Sequence, residues 1–220
     1  GRWAQKRNMS RALGHRQGAK AVEATIKSAL EHNITTLSLF AFSTENWGRP
    51  SEEVELLWSL LAESIDDKLP KLDKENVRVK FIGDLTVLDP NLIAKLHNAE
   101  QKTANNSRLN LVIAINYSGR QDIVQAARQV ALKSPSSCND EQFSKYLMTA
   151  EFGDIDLLIR TSGEKRLSNF MLWQSAYAEL YFTDCKWPDF SAAEFQSALN
   201  YYAECDRRFG RLSQVEVADA

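Results

Sequence analysis

The chain has 220 residues, of which 44% are hydrophobic and 25% are charged, with a net charge of −2 at pH 7. This composition indicates one ordinary globular domain over residues 1–220 and excludes a collagen-like or low-complexity chain. The charge excludes a protein that attracts nucleic acid or acidic lipid by overall positive potential. Three widely spaced cysteines without a C-x-x-C pair argue against a disulfide framework or zinc site and favour a cytoplasmic location. No apolar run is long enough for a transmembrane helix or a signal peptide.

The amino-terminal segment is basic. Arg2, Arg11 and His15 can converge if residues 3–12 are helical or turn back on themselves. The alternative is a first helix whose basic side chains are simply solvated.

Short runs rich in Leu, Ile, Val, Phe or Tyr predict strands at residues 36–43, 77–82, 109–116, 155–160 and 179–183. Helical patterns lie between them. One covers residues 51–69, another opens at Asp89-Pro90, and the last opens with a Ser191/Glu194 capping box and runs towards residue 209. Residues 133–139 are the best candidate for a loop. Strands separated by helices of this length predict an α/β fold with a mostly parallel sheet and helices on both faces.

Polar residues follow three of these strands. They are residues 43–50 (STENWGRP), 116–122 (NYSGRQD) and 160–170 (RTSGEKRLSNF). Each segment carries arginine beside Gly, Ser or Asn. In parallel sheets ligands bind outside the carboxyl ends of the strands, so we expect the three segments to share one site.

Residues 160–170 have the composition of a phosphate site. A guanidinium group donates two parallel hydrogen bonds to phosphate oxygens, and serine hydroxyls and backbone N–H groups near Gly163 would add further donors. The alternative is a solvated loop whose arginines pair with surface acids. By residue type alone we expect two anionic groups, with Arg2, Arg11 and Arg49 around one and Arg160 and Arg166 around the other.

Ordered blocks over residues 1 to about 209 resemble one family, the cis-prenyltransferases, and within it the bacterial undecaprenyl diphosphate synthases. These blocks are GRWA at residue 1, RALGH at 11, FSTENWGRP at 42, NYSGR at 116, RTSGEKRLSNF at 160 and AELYF at 178. The resemblance implies a Rossmann-like fold with an apolar tunnel. It also implies Mg²⁺-dependent condensation of isopentenyl diphosphate, in cis, onto farnesyl diphosphate, giving the lipid carrier for cell-wall synthesis.

The resemblance also implies a role for individual residues. The primer's diphosphate would be held by Gly1, Arg2, Arg11, His15 and Arg49. Isopentenyl diphosphate would be bound by Arg160, Arg166, Leu167 and Ser168, and Mg²⁺ by Glu179. Asn46 would remove the proton at a reacting centre lined by Ser43, Thr44 and Glu45, while Trp3 and Trp47 would flank the substrate chain. The resemblance further implies a homodimer that touches membrane lipid peripherally to release its product.

A growing lipid needs an apolar tunnel. Candidates to line it are Leu37, Leu39, Phe40, Ala41, Phe42, Leu57, Trp58, Leu61, Leu109, Leu111 and Ile113. For each of them a place in the ordinary core is the competing interpretation. The small Ala41 resembles long-chain members of the family, in which a bulky residue at that place shortens the product.

The sequence departs from the family pattern at two points. The family's first motif reads M-D-G-N-G-R-W-A, so we expect its metal-binding aspartate and its first strand to precede Gly1. A form lacking them should be nearly inactive and would leave a sheet edge unpaired. Lys165 stands where some relatives have a histidine near the metal, and an ammonium group cannot ligate a metal ion.

Other classes of protein fit less well. Asp66-Asp67 does not form the D-D-x-x-D motif of trans-prenyltransferases, and no P-loop or dinucleotide motif occurs. The main alternative is a non-catalytic subunit of a two-subunit cis-prenyltransferase. The missing aspartate favours this subunit slightly. The tail at residues 215–220, which lacks the R-x-G ending, argues for the enzyme, as do six residues that the family uses at its site: Asn46, Arg49, Arg160, Arg166, Ser168 and Glu179.

Overall fold

The computed structural model describes residues 2–133 and 138–207. In these ranges the strands are β1 Thr36–Ser43, β2 Val77–Ile82, β3 Leu109–Tyr117, β4 Leu157–Arg160 and β5 Glu179–Phe182. The helices are α1 Arg2–Gln5, α2 Arg11–Glu31, α3 Ser51–Lys74, α4 Pro90–Lys102, α5 Gly119–Lys133, α6 Asp140–Ser144 and α7 Ala192–Glu204. Short 3-10 turns lie at Thr44–Gly48, Leu85–Val87 and Trp187–Asp189. The predicted loop at 133–139 falls partly on residues outside the described ranges.

The strand pairing is parallel throughout, which confirms the predicted fold class. One sheet has the order β1-β3-β2 and the other pairs β4 with β5, so the strands divide between two sheets rather than forming one. Ser43 is the register partner of Tyr117, so β1 and β3 end together. The polar segments that follow them therefore start from the same edge of the sheet.

Helix α3 runs to Lys74, beyond the end predicted at residue 69, and contains Pro70. A proline inside a helix removes one backbone hydrogen bond and usually breaks the helix. Here Pro70 is exposed, while Leu69 and Leu72 on either side of it pack against the core. Burial of these two side chains offsets the lost bond and keeps the helix continuous.

The predicted start of α4 is confirmed, since the Asp89 side chain accepts a hydrogen bond from Asn91 N (2.9 Å) and Pro90 is the first helical residue. Helix α7 has the predicted N-cap, with Ser191 Oγ accepting from Glu194 N (3.4 Å), but the Glu194 side chain does not return the bond to Ser191 N that a capping box requires. The Glu194 carboxylate accepts from the Thr183 hydroxyl (3.0 Å), which joins the helix to the end of β5. The helix ends at Glu204, short of the predicted residue 209, and residues 208–220 lie outside the described part of the chain.

The outer edge of β2 is covered by side chains of α4. Thr103 Oγ1, fully buried, accepts from Val79 N (3.0 Å), and Glu100 Oε1 accepts from Phe81 N (2.8 Å). An edge strand otherwise presents unpaired N–H groups to other chains. Glu100 of α4 and Thr103, the residue that caps its end, therefore satisfy two N–H groups that the sheet leaves open on this side.

A cavity of about 820 Å³ lies between α2, α3, α7 and strands of both sheets. The residues facing it are mostly apolar. Seven of the tunnel candidates line this cavity, namely Leu37, Leu39, Phe40, Ala41, Leu61, Leu111 and Ile113. The other four, Phe42, Leu57, Trp58 and Leu109, do not line it. No helix in the described ranges is long and apolar enough to cross a membrane.

Candidate active site

The three polar segments meet at the carboxyl edge of the strands, as predicted. Trp47 Nε1, after β1, donates to Asn116 Oδ1 at the end of β3 (2.9 Å). Asn169, after β4, donates from Nδ2 to Glu45 Oε1 (2.8 Å) and to Ser118 Oγ (2.8 Å). Residues distant in sequence therefore form one surface at the ends of β1, β3 and β4.

One basic cluster forms around Glu53 in the first turn of α3, and we call it the Glu53 cluster. Arg11 Nη1 donates to Glu53 Oε2 (2.6 Å), while His15 Nε2 and Arg49 Nη1 each lie 3.3 Å from Oε1. Helix α2 supplies two of these side chains and the end of the 3-10 turn supplies Arg49. The predicted convergence of Arg11, His15 and Arg49 is thus present, with a carboxylate at its centre.

Burial and charge act in opposite directions on this cluster. Burial lowers the pKa of His15 and outweighs the hydrogen bond and charge of Glu53, which would raise it. Burial alone would raise the pKa of Glu53, but Arg11 and Arg49 outweigh it and the pKa is lowered. At neutral pH the cluster therefore holds one carboxylate against two guanidinium groups.

A second basic cluster forms around Glu164 in the loop after β4, and we call it the Glu164 cluster. Arg2 and Arg166 both form ion pairs with the Glu164 carboxylate. The prediction grouped Arg2 with Arg11 and Arg49, whereas in the structure Arg2 is ion-paired with Glu164. Gly1 lies outside the described residues.

Arg160, the last residue of β4, is part of this second cluster. Its Nε is buried and has no hydrogen-bond partner within residues 2–133 and 138–207. Burial lowers its pKa most, Arg166 and Arg2 lower it further, and Glu164 acts in the opposite direction. Binding of an anion would satisfy the Nε donor, because an unpaired buried donor costs free energy.

Two of the backbone N–H groups that were predicted as ligand donors near Gly163 are used within the protein itself. Ser162 N donates to Cys185 O (2.7 Å) and Gly163 N donates to Thr183 O (2.9 Å), so both amides are already used. Both residues have left-handed backbone, with φ 76° at Ser162 and 69° at Gly163, a conformation that is costly for serine and accessible to glycine. Within the described ranges Arg160 Nε has no hydrogen-bond partner, whereas Arg166 is bonded to Glu164.

The residues predicted around the reacting centre occupy the 3-10 turn after β1. Asn46 Oδ1 accepts from Ser43 N (3.2 Å), and the Thr44 hydroxyl donates weakly to Glu45 (3.4 Å). Trp47 is 44% exposed. Trp3 lies in α1, where the Arg7 guanidinium stands 4.5 Å over its ring. Leu167 lines the cavity and Ser168 is exposed next to it.

Glu179 does not join the arginine clusters. It is the first residue of β5 and pairs with Leu157, whereas Arg160 pairs with Phe182 at the other end of the strands. Its neighbours are Tyr201 and Cys205. Burial is the main reason that the pKa of the Cys205 thiol is raised, and the Glu179 carboxylate raises it further. In the described ranges no three His, Cys, Asp or Glu side chains are close enough to hold a metal ion.

Sequence reasoning missed the site roles of Glu53 and Asn169. Glu53 follows Arg49 by four residues, a spacing at which opposite charges pair on a helix, and that signal was available. Nothing in the local sequence around Asn169 indicates its contacts, since Glu45 and Ser118 lie far from it in the chain.

The parallel strands, the two arginine clusters near their carboxyl ends and the apolar cavity together define an α/β protein with a candidate anion site. The family described as "Putative undecaprenyl diphosphate synthase" matches residues 1–210. The chain belongs to this cis-prenyltransferase family.

Similar proteins support this assignment over most of the chain. An isoprenyl transferase of Nitrosomonas europaea is 45% identical over 97% of this chain and 82% of that protein. A ditrans,polycis-undecaprenyl-diphosphate synthase, specific for (2E,6E)-farnesyl diphosphate, of Escherichia coli K12 is 45% identical over 96% of this chain and 85% of that protein.

Two solved structures have the same fold. A probable undecaprenyl diphosphate synthase of Campylobacter jejuni is 38% identical with a TM-score of 0.82, and the match covers 89% of this chain and 93% of that one. Lavandulyl diphosphate synthase of Lavandula x intermedia, in complex with dimethylallyl diphosphate, is 32% identical with a TM-score of 0.91, over 96% of this chain and 93% of that one.

Proposed function

We propose that this protein condenses isopentenyl diphosphate in cis onto farnesyl diphosphate to make a long-chain polyprenyl diphosphate, namely undecaprenyl diphosphate. The observation that carries the proposal is the position of two arginine clusters at one edge of the strands. Arg160 and Leu167 also line the apolar cavity, so an anion held there has room for a hydrocarbon chain beside it. The reported relatives are named as synthases or transferases, and no observation favours a non-catalytic subunit.

The two clusters suit the two diphosphates of this reaction. In our proposal Arg11, His15 and Arg49 bind the primer, and Arg160 and Arg166 bind isopentenyl diphosphate with Ser168. Arg2, bonded to Glu164 in this structure, would bridge from the second cluster towards the first. Cleavage of the allylic carbon–oxygen bond places negative charge on the departing diphosphate, so fixed guanidinium groups bind the transition state more strongly than the ground state.

Asn46 is our candidate for proton removal from the condensing centre. Its Oδ1 is fixed by Ser43 N, and it is partly exposed at the end of β1, where all three strand-end segments meet. Trp47 and Trp3 would cover the substrate chain. Removal of a proton needs an acceptor within hydrogen-bond reach in a defined direction, and the 3-10 turn provides such a fixed direction.

We propose Mg²⁺ as the divalent ion of the reaction. Magnesium in phosphate-transfer sites is usually bound by substrate phosphates, water and one or two carboxylates rather than by a protein cage. When bound it would neutralise charge on the diphosphate. The family resemblance assigns Glu179 as a carboxylate ligand of this ion. Glu179 lies at the start of β5, whereas Arg160 pairs with Phe182 at the end of that strand.

The deciding experiment uses the full-length gene product with its natural amino terminus. Farnesyl diphosphate, labelled isopentenyl diphosphate and Mg²⁺ are supplied, and the extracted lipids are resolved by length. We expect a long polyprenyl diphosphate that is lost when EDTA is added. A folded protein that binds diphosphate without incorporating label would overturn the catalytic proposal and favour a partner subunit.

Arginine-to-lysine variants test the role of the guanidinium fork. Arg160→Lys and Arg49→Lys keep the charge and lose bidentate bonding, so we expect kcat/KM to fall between tenfold and roughly a hundredfold. Arg128→Lys, at an exposed position of α5, is the matched control and should be unchanged. Equal rates in all three variants would show that only positive charge is needed.

We also propose a homodimer that acts from the cytoplasmic side, touching the membrane to release its lipid product. Each buried CH₂ of product adds ~0.8 kcal/mol to its binding, so release from the cavity should be slow without lipid or detergent. Light scattering measures the dimer directly, and turnover with and without vesicles tests the release step.

A further inference from the structure

The side chain of Asn169 uses every polar group that it has. Nδ2 donates to Glu45 Oε1 (2.8 Å) and to Ser118 Oγ (2.8 Å), and Oδ1 accepts from Arg120 N (2.9 Å). These partners follow β1 and β3, while Asn169 itself follows β4. A single amide therefore ties the segments after these three strands together.

The backbone of Asn169 makes a fourth link. Its carbonyl accepts from Gly119 N (2.8 Å) at the start of α5. A Cβ at position 119 would lie 3.0 Å from that carbonyl and 2.9 Å from Leu172 Cγ, so only glycine allows this close approach. Asn169 has φ 64°, a conformation that asparagine tolerates better than other non-glycine residues.

We propose that Asn169 is a positioning residue for the condensation, holding the turn of Glu45 and Asn46 in register with the loop of Arg166 and Ser168. It acts through these neighbours rather than on the substrate. This inference rests on the proposed function, because the proposed function assigns one substrate to each of the two segments that Asn169 joins.

Asparagine suits this position because the contacts need two donors and one acceptor on one planar group. Aspartate keeps the acceptor for Arg120 N but sets a carboxylate against Glu45. The hydrogen bond from Asn169 is the main reason that the pKa of Glu45 is lowered, and the hydroxyls of Ser43 and Thr44 act in the same direction. The Ser43 and Thr44 hydroxyls and the Asn169 amide do not titrate near neutral pH. A new pH dependence in Asn169→Asp would therefore come from the carboxylates at positions 45 and 169.

The experiment compares Asn169→Asp with the wild-type full-length protein by steady-state kinetics from pH 5.5 to 8.5. Two carboxylates at hydrogen-bond distance share a proton at low pH and repel each other once both are ionised. We therefore expect a small defect at low pH that grows to between tenfold and roughly a hundredfold in kcat/KM for isopentenyl diphosphate at high pH. Asn98→Asp adds the same charge at an exposed position of α4 and should match the wild type at every pH.

A reciprocal variant separates positioning from loss of folding. Asn169→Asp combined with Glu45→Gln restores a donor facing an acceptor, so we expect it to regain at least part of the lost activity and to lose the pH dependence. Asn169→Asp with wild-type kinetics, or a pH-independent defect that the second substitution does not relieve, would overturn the inference. A wild-type protein that makes no polyprenyl product would overturn the proposed function and this inference together.

Discussion

At the scale of single residues, each basic cluster carries its own carboxylate. Glu53 is bonded by Arg11 and Arg49, and Glu164 by Arg2 and Arg166. A charged group in such a site is stabilised by its partners, so a substrate diphosphate must compete with the carboxylate or bind beside it. The affinity of each cluster for an anion therefore depends on how much stronger the arginine–diphosphate hydrogen bonds are than the arginine–carboxylate hydrogen bonds that they replace.

Replacing Glu53 tests this competition. Glu53→Gln removes the negative charge between Arg11 and Arg49, and we expect inorganic pyrophosphate to bind roughly two- to tenfold more tightly, as measured by calorimetry at fixed salt. Glu52→Gln makes the same change one residue earlier on an exposed position and serves as the control. Weaker binding by Glu53→Gln than by Glu52→Gln would instead mean that this carboxylate orients the arginines.

Residue type predicted which strand-end segments come together, but not the partner of each side chain. The arginines were chosen as site candidates because a guanidinium group matches the geometry of phosphate oxygens. Two contacts could not be predicted because they join segments that are far apart in sequence. Arg2 lies beside Glu164, and carbonyls after β5 accept hydrogen bonds from the Ser162 and Gly163 amides.

At the scale of the secondary-structure elements, apolar runs fixed β1 and β2 at their observed bounds, because a buried strand is bounded where polar residues begin. Among the ends that differ from the prediction, those of β4 and α3 have a tertiary reason. Ile155 N bonds to Gln174 O, so β4 starts two residues later than predicted. Helix α3 continues past Pro70 because the core holds Leu72.

The covered edge of β2 leads to a stability prediction. Thr103→Val keeps the shape of the side chain but leaves Val79 N buried without an acceptor, so we expect the free energy of unfolding to fall by about 1–3 kcal/mol. Urea denaturation gives this value, with an unchanged m-value as the check on two-state behaviour. Thr35→Val, on an exposed position, should change stability by less than ~0.5 kcal/mol. Equal stability of the two variants would show that water reaches the β2 edge.

At the scale of the whole molecule, the cavity and the two clusters are products of layer packing. Strands from both sheets and the faces of α2, α3 and α7 enclose the apolar space, and the strand ends bring the arginines to one side of it. The alternation of strands and helices predicted the layers. It did not predict which apolar residues face the cavity, because Leu109 and Leu111 have the same side chain and only Leu111 lines the cavity.

Ala41 provides the test of the cavity as a lipid site. Ala41→Leu places three more heavy atoms on the cavity lining, and we expect product shorter by at least one five-carbon unit with the first condensations unimpaired. Mass spectrometry of the extracted products measures the distribution. Ala193→Leu makes the same change on the exposed surface of α7 and should leave it unaltered. An identical distribution in both variants would place the growing chain elsewhere.

The all-parallel pairing also has a consequence for how the chain folds. Thr36 of β1 pairs with Asn110 of β3, and β2, which lies between them in sequence, occupies the far side of β3. During synthesis β1 therefore emerges from the ribosome roughly seventy residues before its partner, and its apolar side chains have no sheet to join until β3 follows. Contacts of such long range slow folding and expose strand edges meanwhile, so chaperone binding to the nascent amino-terminal third is expected.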